Sequence, residues 1–521
     1  MSRWTRALWC LLYLVLPSCL LDSGGPDDGD PIAVAASDLT LSGANGSIEI
    51  SGMSGGALTV TYSPGHAATW CRLYLSEGNG AGLVLAAQPM SYAGGAYTYT
   101  FSHPSFTAGA TIHVLVLRYE GGVETAIPHG PLGSSTSWAS FSYAGSGPPG
   151  PPGPPGPGTG TFPIVFKNDT RGKWNNRDVH IQIIGMNAAG QWCTVRPNGD
   201  VVPMSPADND APGHLRKNGV NYASYGATLA QASTWTMPAY LVGTRIYVSV
   251  GSPVYIRPVA GGWVGPNVED AGDANEDVYY DWLEATYAHG QIPLGINTTQ
   301  VDMFGLPMTV RVQQSRSGYD SRVGITLRRA QVYQQYGDTV AAPFKALAKT
   351  HRILAPSHGE FRPGRSQANY LRGYIDDVWG HYASHPLRVT VGAVVYQGSV
   401  ANGRLRFTRD GAGPFFVDKP TTHDVLAATG ALARGNPIEL AFEAQLDAAL
   451  NRAVALDTSN WFRASAYYDR APRNDYARFF HTVSLHGLAY GFPYDDVADQ
   501  SSVRILPNAE PATRVTIAIG W

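Results

Sequence analysis

Two neighbouring apolar stretches, DWLEATY at residues 281–287 and INTTQVDMFGLP at residues 296–307, contain the acids that matter most in this chain. Their composition predicts strands, and the candidate acids are Glu284 in the first stretch, which also contains Asp281, and Asp302 in the second. Two acids in such a setting suggest hydrolysis of a glycosidic bond. That reaction needs a protonated carboxyl group to donate to the leaving oxygen and an ionised one to activate water or attack the sugar.

The composition is typical of a secreted, β-rich protein. Of the 521 residues, 15% are charged and 11% are aromatic, and there are 59 glycines and 37 prolines. Such a chain favours turns over long helices, and its length predicts two or three folded units. The formal net charge is −3 and no run of basic residues is present, which argues against nucleic acid as a partner.

The beginning of the chain predicts export. Two arginines precede an apolar run within residues 1–19, a pattern of export signals rather than of membrane-spanning helices. The box LPSC at residues 16–19 also resembles a bacterial lipoprotein cleavage site, with Cys19 as the lipidation candidate. Residues 20–34 are then a flexible tether. We expect a secreted or extracellular protein, or alternatively a bacterial cell-surface lipoprotein held at the membrane through Cys19.

A proline-rich spacer divides the remaining chain. Residues 145–160 contain GPPGPPGPPGPG, which is too short for a collagen triple helix and predicts a stiff linker. Residues 35–144 alternate apolar and polar residues between glycine turns and predict a β-sandwich. Residues 161–521 form the larger unit.

The sequence of the larger unit predicts strands first and helices later. Residues 179–185 and 244–251 have strand character, whereas apolar residues on one helical face lie between residues 370 and 382. Residues 439–455 predict a second helix, and residues 514–519 return to strand. This order indicates a mainly β, α+β fold.

Cysteine and histidine positions give no sign of a disulfide framework or a metal site. Cys71 and Cys193 remain after export and lie in different predicted domains, so we expect two buried thiols. The 14 histidines are scattered without ligand spacing, and no metal or cofactor is predicted.

Several short motifs of the front unit carry a resemblance to a known module. They are Trp70, GAYTY at 95–99, AGATI at 108–112 and SWASFSY at 137–143. Together they resemble a β-1,3-glucan-binding carbohydrate-binding module of family 56. Aromatic rings bind sugars by stacking on the apolar face of a pyranose, and Tyr97, Trp138 and Tyr143 are the candidate platform. For each of the three, the alternative is a half-buried aromatic of the sandwich.

Ordered motifs of residues 161–521 resemble glycoside hydrolase family 64, the bacterial endo-β-1,3-glucanases that release laminaripentaose. The motifs are EATY at 284–287, NTTQVDMFGLP at 297–307 and YGFPYDDV at 490–497. The resemblance implies a thaumatin-like fold, with a β core, a mixed α/β lobe and a wide cleft. It also implies an inverting mechanism with Glu284 as general acid and Asp302 as general base. In inverting enzymes the two carboxyl groups lie about 6.5 to 9.5 Å apart, leaving room for water.

The resemblance also places residues in the glucan-binding groove. Thr286 and Thr299 match groove-lining positions, and the YGFPYDDV motif adds Tyr494, Asp495 and Asp496 as substrate-binding candidates. If this motif is a strand, the two adjacent acids face opposite ways and only one of them serves the site. The chain departs from the family at Ala288 and at residues 293–295, which puts product length and affinity in doubt.

Glu284 must keep its proton near neutral pH, and this requires a raised pKa. We expect its neighbours Trp282, Leu283 and Tyr287 to supply part of the desolvation.

Two classes of function are compatible with these sequence features. The favoured one is a secreted, monomeric endo-β-1,3-glucanase acting on curdlan, laminarin or fungal wall glucan, with the front module holding the polymer. The alternative is a non-catalytic β-1,3-glucan-binding recognition protein on the same fold. A weaker third reading is a surface lipoprotein with a structural role.

Overall fold

The chain folds into two compact units, whose described parts span residues 39–142 and 160–521. The computed structural model describes these residues except 44, 52–56, 78–82, 103–110, 121–122, 128–138, 392–393 and 410–411. Several predictions fall outside the described residues. They are the export signal at 1–19 with Cys19, the tether at 20–34, nearly all of the linker at 145–160, and the aromatic residues Trp138 and Tyr143.

The front unit consists of short antiparallel strands. They are β1 (Leu39–Gly43), β2 (Gly46–Ser51), β3 (Ala57–Tyr62), β4 (Trp70–Glu77), β5 (Leu83–Pro89), β6 (Ser91–Ala93), β7 (Ala96–Ser102), β8 (Thr111–Glu120), β9 (Val123–Ile127) and β10 (Ala139–Ser142). One sheet has the order β1-β2-β3-β7-β6, and the other has β10-β8-β4-β5 with β9 beside β8. Alternate residues such as Ile48, Val60 and Val114 share one buried core, so the unit is a β-sandwich.

The larger unit begins with strands that build its core. They are β11 (Phe162–Asp169), β12 (Val179–Met186), β13 (Trp192–Val195), β14 (Val201–Pro203), β15 (Leu215–Lys217), β16 (Val220–Tyr222), β17 (Ala227–Thr228), β18 (Thr234–Met237), β19 (Tyr240–Val250), β20 (Arg257–Val259), β21 (Gly262–Val264), β22 (Tyr279–Ala288), β23 (Ile292–Thr298), β24 (Met303–Phe304), β25 (Met308–Gln314) and β26 (Tyr319–Gly324). Later strands are β27 (Ile353–Leu354), β28 (Leu387–Val391), β29 (Val394–Ala401), β30 (Arg404–Arg409), β31 (Ala412–Val417), β32 (Arg504–Ile505) and β33 (Arg514–Gly520).

Two sheets pack on each other to form the β core of this unit. One has the order β18-β11-β33-β25-β26, and the other runs β14-β13-β12-β19-β22-β23-β32 with β17 beside β12. Their facing side chains form one apolar cluster, to which β22 contributes Leu283, Ala285 and Tyr287. Tyr280 and Trp282 of the same strand belong to a second cluster on the other face. The pleat of β22 therefore leaves one face for the core and the other for function.

The helices follow β26 and form a lobe with a four-stranded sheet, β28-β29-β30-β31. The α-helices are α1 (Arg329–Thr339), α2 (Ala342–Lys345), α3 (Arg372–Ser384), α4 (Thr422–Ala427), α5 (Pro437–Asn451) and α6 (Asp475–Val483). Short 3-10 turns lie at Asn176–Asp178, Pro206–Asp210, Gly359–Phe361, Gly430–Leu432, Thr458–Asn460, Ala464–Ala466, Leu485–Gly487 and Val497–Asp499.

Both predicted helices are present, with different bounds. Helix α3 buries the face that includes Ile375 and Val378, as the apolar spacing predicts. Helix α5 is capped by Asn436, whose side chain accepts two backbone N–H groups of the first turn. It ends at Asn451 rather than at residue 455, because Ala453 has a left-handed backbone with φ of 57°.

The predicted mainly β, α+β class is confirmed, with strands forming the core and helices gathered in the later lobe. Cys71 and Cys193 are buried free thiols, one in each unit, as predicted. Among the described residues, no helix is both long and apolar enough to cross a membrane.

Candidate active site

A polar row crosses the outer face of the eight-stranded sheet. Glu284 lies in the middle of β22, and its register partners are Arg245 on β19 and Asn297 on β23. Because side chains alternate along a strand, Leu283 and Ala285 point the other way, into the core. The three polar residues therefore line the face that the core does not use.

The Glu284 carboxyl group is largely withdrawn from solvent, with 16% of its side chain exposed. Trp282 Nε1 donates a hydrogen bond to Oε1 over 3.4 Å, and Arg245 Nε lies 4.0 Å from the same oxygen. Burial raises the pKa of Glu284; Arg245 opposes this rise and the charge of Asp302 adds to it. The result is a carboxyl group suited to hold and donate a proton.

The three neighbours expected to desolvate Glu284 do not act alike. Trp282 lies on the same face and contacts the carboxyl group directly, so this part of the expectation is confirmed. Leu283 and Tyr287 belong to the core on the opposite face, and the expectation is wrong for them. Residues at odd spacing along a strand face away from one another, whatever their nearness in sequence.

Arg245 is fixed by aromatic side chains beside Glu284. Its guanidinium carbon lies 5.4 Å from the ring centre of Trp282 and 5.9 Å from that of Trp263. Its Nη1 also donates to the hydroxyl oxygen of Tyr247 over 3.3 Å. A cation held in this way balances the negative charge that remains when Glu284 gives up its proton.

Asp302 lies just beyond the turn that follows β23. It directly precedes β24, which pairs with β27, and its backbone carbonyl accepts the N–H of Ala355 over 2.9 Å. The carboxylate of Asp281 on β22 accepts the N–H groups of Gly305 and Leu306 over 2.9 and 3.1 Å. The segment that carries Asp302 is thereby tied directly to the strand that carries the first candidate acid.

The Asp302 carboxylate is joined to a second carboxylate through an imidazole. His358 Nε2 lies 3.2 Å from Asp302 Oδ1, and His358 Nδ1 lies 2.7 Å from Glu269 Oε1. Arg362 Nη1 is 3.3 Å from the other oxygen of Glu269. Burial on its own lowers the pKa of His358, but its hydrogen bonds with Asp302 and Glu269 raise it to about 9. Asp302 therefore faces a cation at neutral pH.

The two candidate acids thus have opposite surroundings. Burial favours the protonated form of Glu284, whereas Asp302 has a positively charged hydrogen-bond donor. The charge of Asp302 also contributes to the raised pKa of Glu284, as expected for two acids in one site. Pairs of carboxyl groups with such different settings can divide the roles of acid and base.

The sequence model of the β-1,3-glucanases of glycoside hydrolase family 64 matches residues 160–517 of this chain. The chain belongs to this family. It is therefore a glycoside hydrolase acting on β-1,3-glucan, as predicted. No curated protein sequence matches the chain.

Solved structures of family 64 enzymes resemble this glucanase. The β-1,3-glucanase domain from Clostridium beijerinckii is 34% identical, with a TM-score of 0.66, over 71% of this chain and 100% of that one. The laminaripentaose-producing enzyme from Paenibacillus barengoltzii, complexed with laminarihexaose, is 25% identical, with a TM-score of 0.57, over 93% and 100% of the two chains. A laminaripentaose-producing enzyme in complex with laminaritetraose is 27% identical, with a TM-score of 0.58, over 69% and 99%.

The two predicted groove threonines occupy different environments in this family 64 glucanase. Thr286 lies two residues beyond Glu284 on the same face of β22 and is partly exposed, so a sugar contact there stays a prediction. Thr299 is buried, and its hydroxyl accepts the N–H of Val301 over 3.3 Å. Its position supports a role in shaping the turn before Asp302 rather than a sugar contact.

The YGFPYDDV motif is a series of turns, not a strand, so the premise that its acids face opposite ways is wrong. Asp495 is fully buried; it pairs with Arg452 Nη2 over 3.1 Å and with His481 Nε2 over 2.9 Å. Both of its oxygens are bonded, and a sugar contact from Asp495 is excluded by burial. Tyr494 is also buried, with its hydroxyl 3.5 Å from the carbonyl of Leu432, so the prediction of a sugar contact from it is wrong as well.

Asp496 differs from its neighbour. Its Oδ1 is enclosed and has no partner among the described residues, and burial raises the pKa of Asp496 to about 7. The same motif packs against the turn that precedes Asp302, because the backbone of Gln300 and Tyr490 forms a 2.8 Å hydrogen bond. Its role in binding substrate stays a prediction.

The front unit corrects one further prediction. Tyr97 is 4% exposed, and its hydroxyl bonds the backbone of Ala68 twice, accepting from N–H over 2.7 Å and donating to the carbonyl over 2.9 Å. A ring enclosed in this way offers no face to a sugar, so Tyr97 is a core residue. Tyr97 is therefore an aromatic residue of the sandwich interior, which is the alternative to the binding platform given in the sequence analysis.

Three site residues had not been identified from sequence. Arg245 carries a usable signal, since a charged residue inside an otherwise apolar strand marks its functional face. His358 and Glu269 carry none, because they lie in loops remote in sequence and meet Asp302 only in the folded chain. Among the described residues, no group of three or more His, Cys, Asp or Glu side chains has the arrangement of a metal site.

Proposed function

We propose that this chain is an inverting endo-β-1,3-glucanase in which Glu284 is the general acid and Asp302 the general base. The observation that carries the proposal is the contrast between the two carboxyl groups. Glu284 is buried with a raised pKa, whereas Asp302 is hydrogen-bonded to the cationic ring of His358. This is the division of protonation states that inversion requires.

The proposed reaction takes place in a single displacement. Glu284 donates its proton to the glycosidic oxygen as the bond to the anomeric carbon breaks. Asp302 takes a proton from a water molecule, whose oxygen forms the new bond on the opposite face of the sugar. Both carboxyl groups return to their starting states by exchanging protons with solvent. Arg245, next to Glu284, stabilises the carboxylate that forms as Glu284 gives up its proton.

The proposed substrates are β-1,3-glucans such as curdlan, laminarin and fungal wall glucan. Two of the similar structures are described as laminaripentaose-producing, which supports short oligosaccharides of that length as products. We further propose that the front sandwich binds glucan and that the protein is a secreted monomer. Incorporation of labelled palmitate that is lost in Cys19→Ala would instead show a surface lipoprotein.

The decisive experiment compares the purified parent protein with Glu284→Gln, which keeps the side-chain size but removes the acid. Glu276→Gln is the matched control, because Glu276 lies in the same unit with 47% of its side chain exposed. We expect reducing-sugar release from curdlan in the parent and the control only, with curdlan pull-down retained in all three. Proton NMR of the first products should show the α-anomer.

Each other outcome has a definite meaning. Activity of Glu284→Gln equal to that of the control would rule out Glu284 as the acid. A β-anomeric first product would rule out inversion. An inactive parent that still binds curdlan would favour the non-catalytic glucan-binding protein.

A further inference from the structure

We propose that His358 is the positioning residue of the catalytic base: a buried imidazolium, supported by Glu269, that orients Asp302 and places a positive charge beside it. The inference rests on the proposed function, in which Asp302 is the base. It adds two residues, His358 and Glu269, to the machinery of that site. Neither of them needs to touch the glucan.

The fold brings His358 to Asp302 through a small strand pair. Met303–Phe304 pairs with Ile353–Leu354, so the residue before β24 and the turn after β27 lie side by side. Within that turn, the backbone N–H of His358 donates to the carbonyl of Ala355 over 3.0 Å. His358 as a whole residue is 8% exposed, so its ring has little freedom to move out of the site.

Both ring nitrogens of His358 face carboxylate oxygens. Nε2 is 3.2 Å from Asp302 Oδ1 and Nδ1 is 2.7 Å from Glu269 Oε1. An ionised carboxylate only accepts hydrogen bonds, so satisfying both contacts requires an N–H at each nitrogen. A neutral imidazole has one N–H, and only the imidazolium has two. The geometry therefore selects the charged ring.

The other charged groups around His358 agree with this assignment. Glu269 is held from its far side by Arg362, at 3.3 Å, and its pKa is lowered chiefly by the hydrogen bond from His358. Burial lowers the pKa of the neighbouring His423, which leaves that ring neutral near pH 7. Glu284 and Arg245 also interact with the charge of Asp302, and Arg245 Nε lies 4.0 Å from Glu284. His358 is thus the cation in direct contact with the base.

The contact has two consequences for catalysis. Oδ1 of Asp302 is engaged by His358, whereas Oδ2 accepts no hydrogen bond from another described residue and is left to take the proton from water. The positive charge of the ring also lies directly beside the carboxylate that takes the proton. The orientation of the base and the charge that faces it then depend on one residue.

The test is the pH dependence of kcat/KM on soluble laminarin for the full chain and for His358→Gln. We expect kcat to fall roughly 10- to 100-fold, the range for losing a hydrogen bond to a charged group. We also expect the acid limb of the profile to move to higher pH, because the variant has no cation beside the base.

His481→Gln is the matched control. His481 forms the same kind of buried pair, with Asp495, and its loss should leave the acid limb in place. A folded His358→Gln protein whose acid limb does not move would overturn the inference, whatever its kcat. Asp302→Asn in the same series separates a failure of the proposed base from a failure of the inference about His358. If that variant keeps activity, the assignment of the base fails; if it is inactive while the His358 profile is unchanged, only the present inference fails.

A second measurement decides the matter if His358→Gln does not fold. In protein labelled with 15N-histidine and carrying His481→Gln, NMR at pH 8 should still show an imidazolium with both ring protons, because the pKa of His358 is about 9. The complete absence of such a ring at that pH would overturn the inference.

Discussion

Two histidine–aspartate pairs in residues 160–521 are both formed through the histidine Nε2 and differ in access. His358 Nε2 lies 3.2 Å from Asp302, and His481 Nε2 lies 2.9 Å from Asp495. The Asp302 side chain is 14% exposed, whereas that of Asp495 is not exposed at all. Asp302 has an oxygen without a partner among the described residues, whereas both Asp495 oxygens are bonded.

Under the proposed assignment, access rather than pairing separates the reactive acid from the structural one. Asp495 is the counter-ion of Arg452, which is itself fully buried in the helical lobe. Burial raises the pKa of nearby Asp447, whereas the pKa of Asp495 is lowered despite its burial because His481 and Arg452 face it. An acid committed to two buried cations has no remaining capacity to act on a substrate.

The largest effect is expected from removing the accessible acid. Asp302→Asn keeps shape but cannot take a proton, and we expect kcat on laminarin to fall by about 10² to 10⁴, the usual contribution of a general base. The free energy of unfolding should fall less than for Asp495→Asn, because Glu269 still faces the charged ring of His358. Reducing-sugar release and urea unfolding measure the two quantities.

Asp320→Asn is the control for this prediction. Asp320 pairs with Arg311 on the surface of the same unit, with 41% of its side chain exposed, so its loss should leave kcat at the parent value. Full activity in Asp302→Asn would show that Asp302 is not the catalytic base and that the two aspartates do not differ in this way.

The converse is expected at the buried acid. Asp495→Asn leaves the charges of Arg452 and His481 buried without a counter-ion, and the free energy of unfolding should fall by roughly 3 to 5 kcal/mol. The folded fraction should retain the kcat of the parent, because Asp495 touches no substrate. Guanidinium unfolding, together with activity scaled to the folded fraction, makes the comparison. A stable but inactive variant would place Asp495 in the site after all.

Part of the candidate site can be predicted from the sequence, and the reason is local. The strand character around Glu284 and the short turn that leads to Asp302 are encoded within about two dozen residues, so their proximity follows from sequence alone. The face of β22 is also predictable, since Trp282 and Glu284 alternate with core residues. The fold class follows in the same way from the order of strands and helices.

The rest depends on contacts between distant segments. The sequence around Asp495 gives no sign that Arg452 and His481 bind this carboxylate. A motif rich in Tyr and Asp is equally compatible with a sugar site. Similarly, Glu269 and His358 are 89 residues apart, and only the pairing of β24 with β27 brings the second to Asp302. Burial of a polar residue is a property of tertiary packing, which alternation patterns do not carry.

Stability as a function of pH tests both imidazoles together. The pKa of His358 is raised from the usual 6.5 to about 9, and that of His481 is also raised. A raised pKa in the folded state means that stability is fully present below about pH 6.5 and is lost as pH rises toward 9. For His358 the loss should amount to roughly 3 kcal/mol.

The measurement is urea unfolding of parent, His358→Gln and His481→Gln at pH 6 and pH 9. Each substitution should shrink the difference between the two pH values, because each removes one titrating ring. Comparing slopes rather than absolute stabilities removes contributions from other buried acids. If stability differs between pH 6 and pH 9 by the same amount in His358→Gln as in the parent, the His358 ring of the parent is neutral at both pH values.

The smallest effect concerns access in the front sandwich, where the same argument applies to a tyrosine. Tyr97→Phe removes the hydroxyl that bonds both backbone groups of Ala68, and we expect a loss of roughly 1 to 2 kcal/mol. Tyr92→Phe is the control, because Tyr92 is 38% exposed and packs against Tyr97 with ring centres 4.8 Å apart. Hydrogen exchange of β7 in the full chain reports the difference. Curdlan pull-down should be unchanged in both variants, since a buried ring cannot stack on a sugar; weaker binding in Tyr97→Phe alone, with normal exchange, would restore Tyr97 to the binding platform.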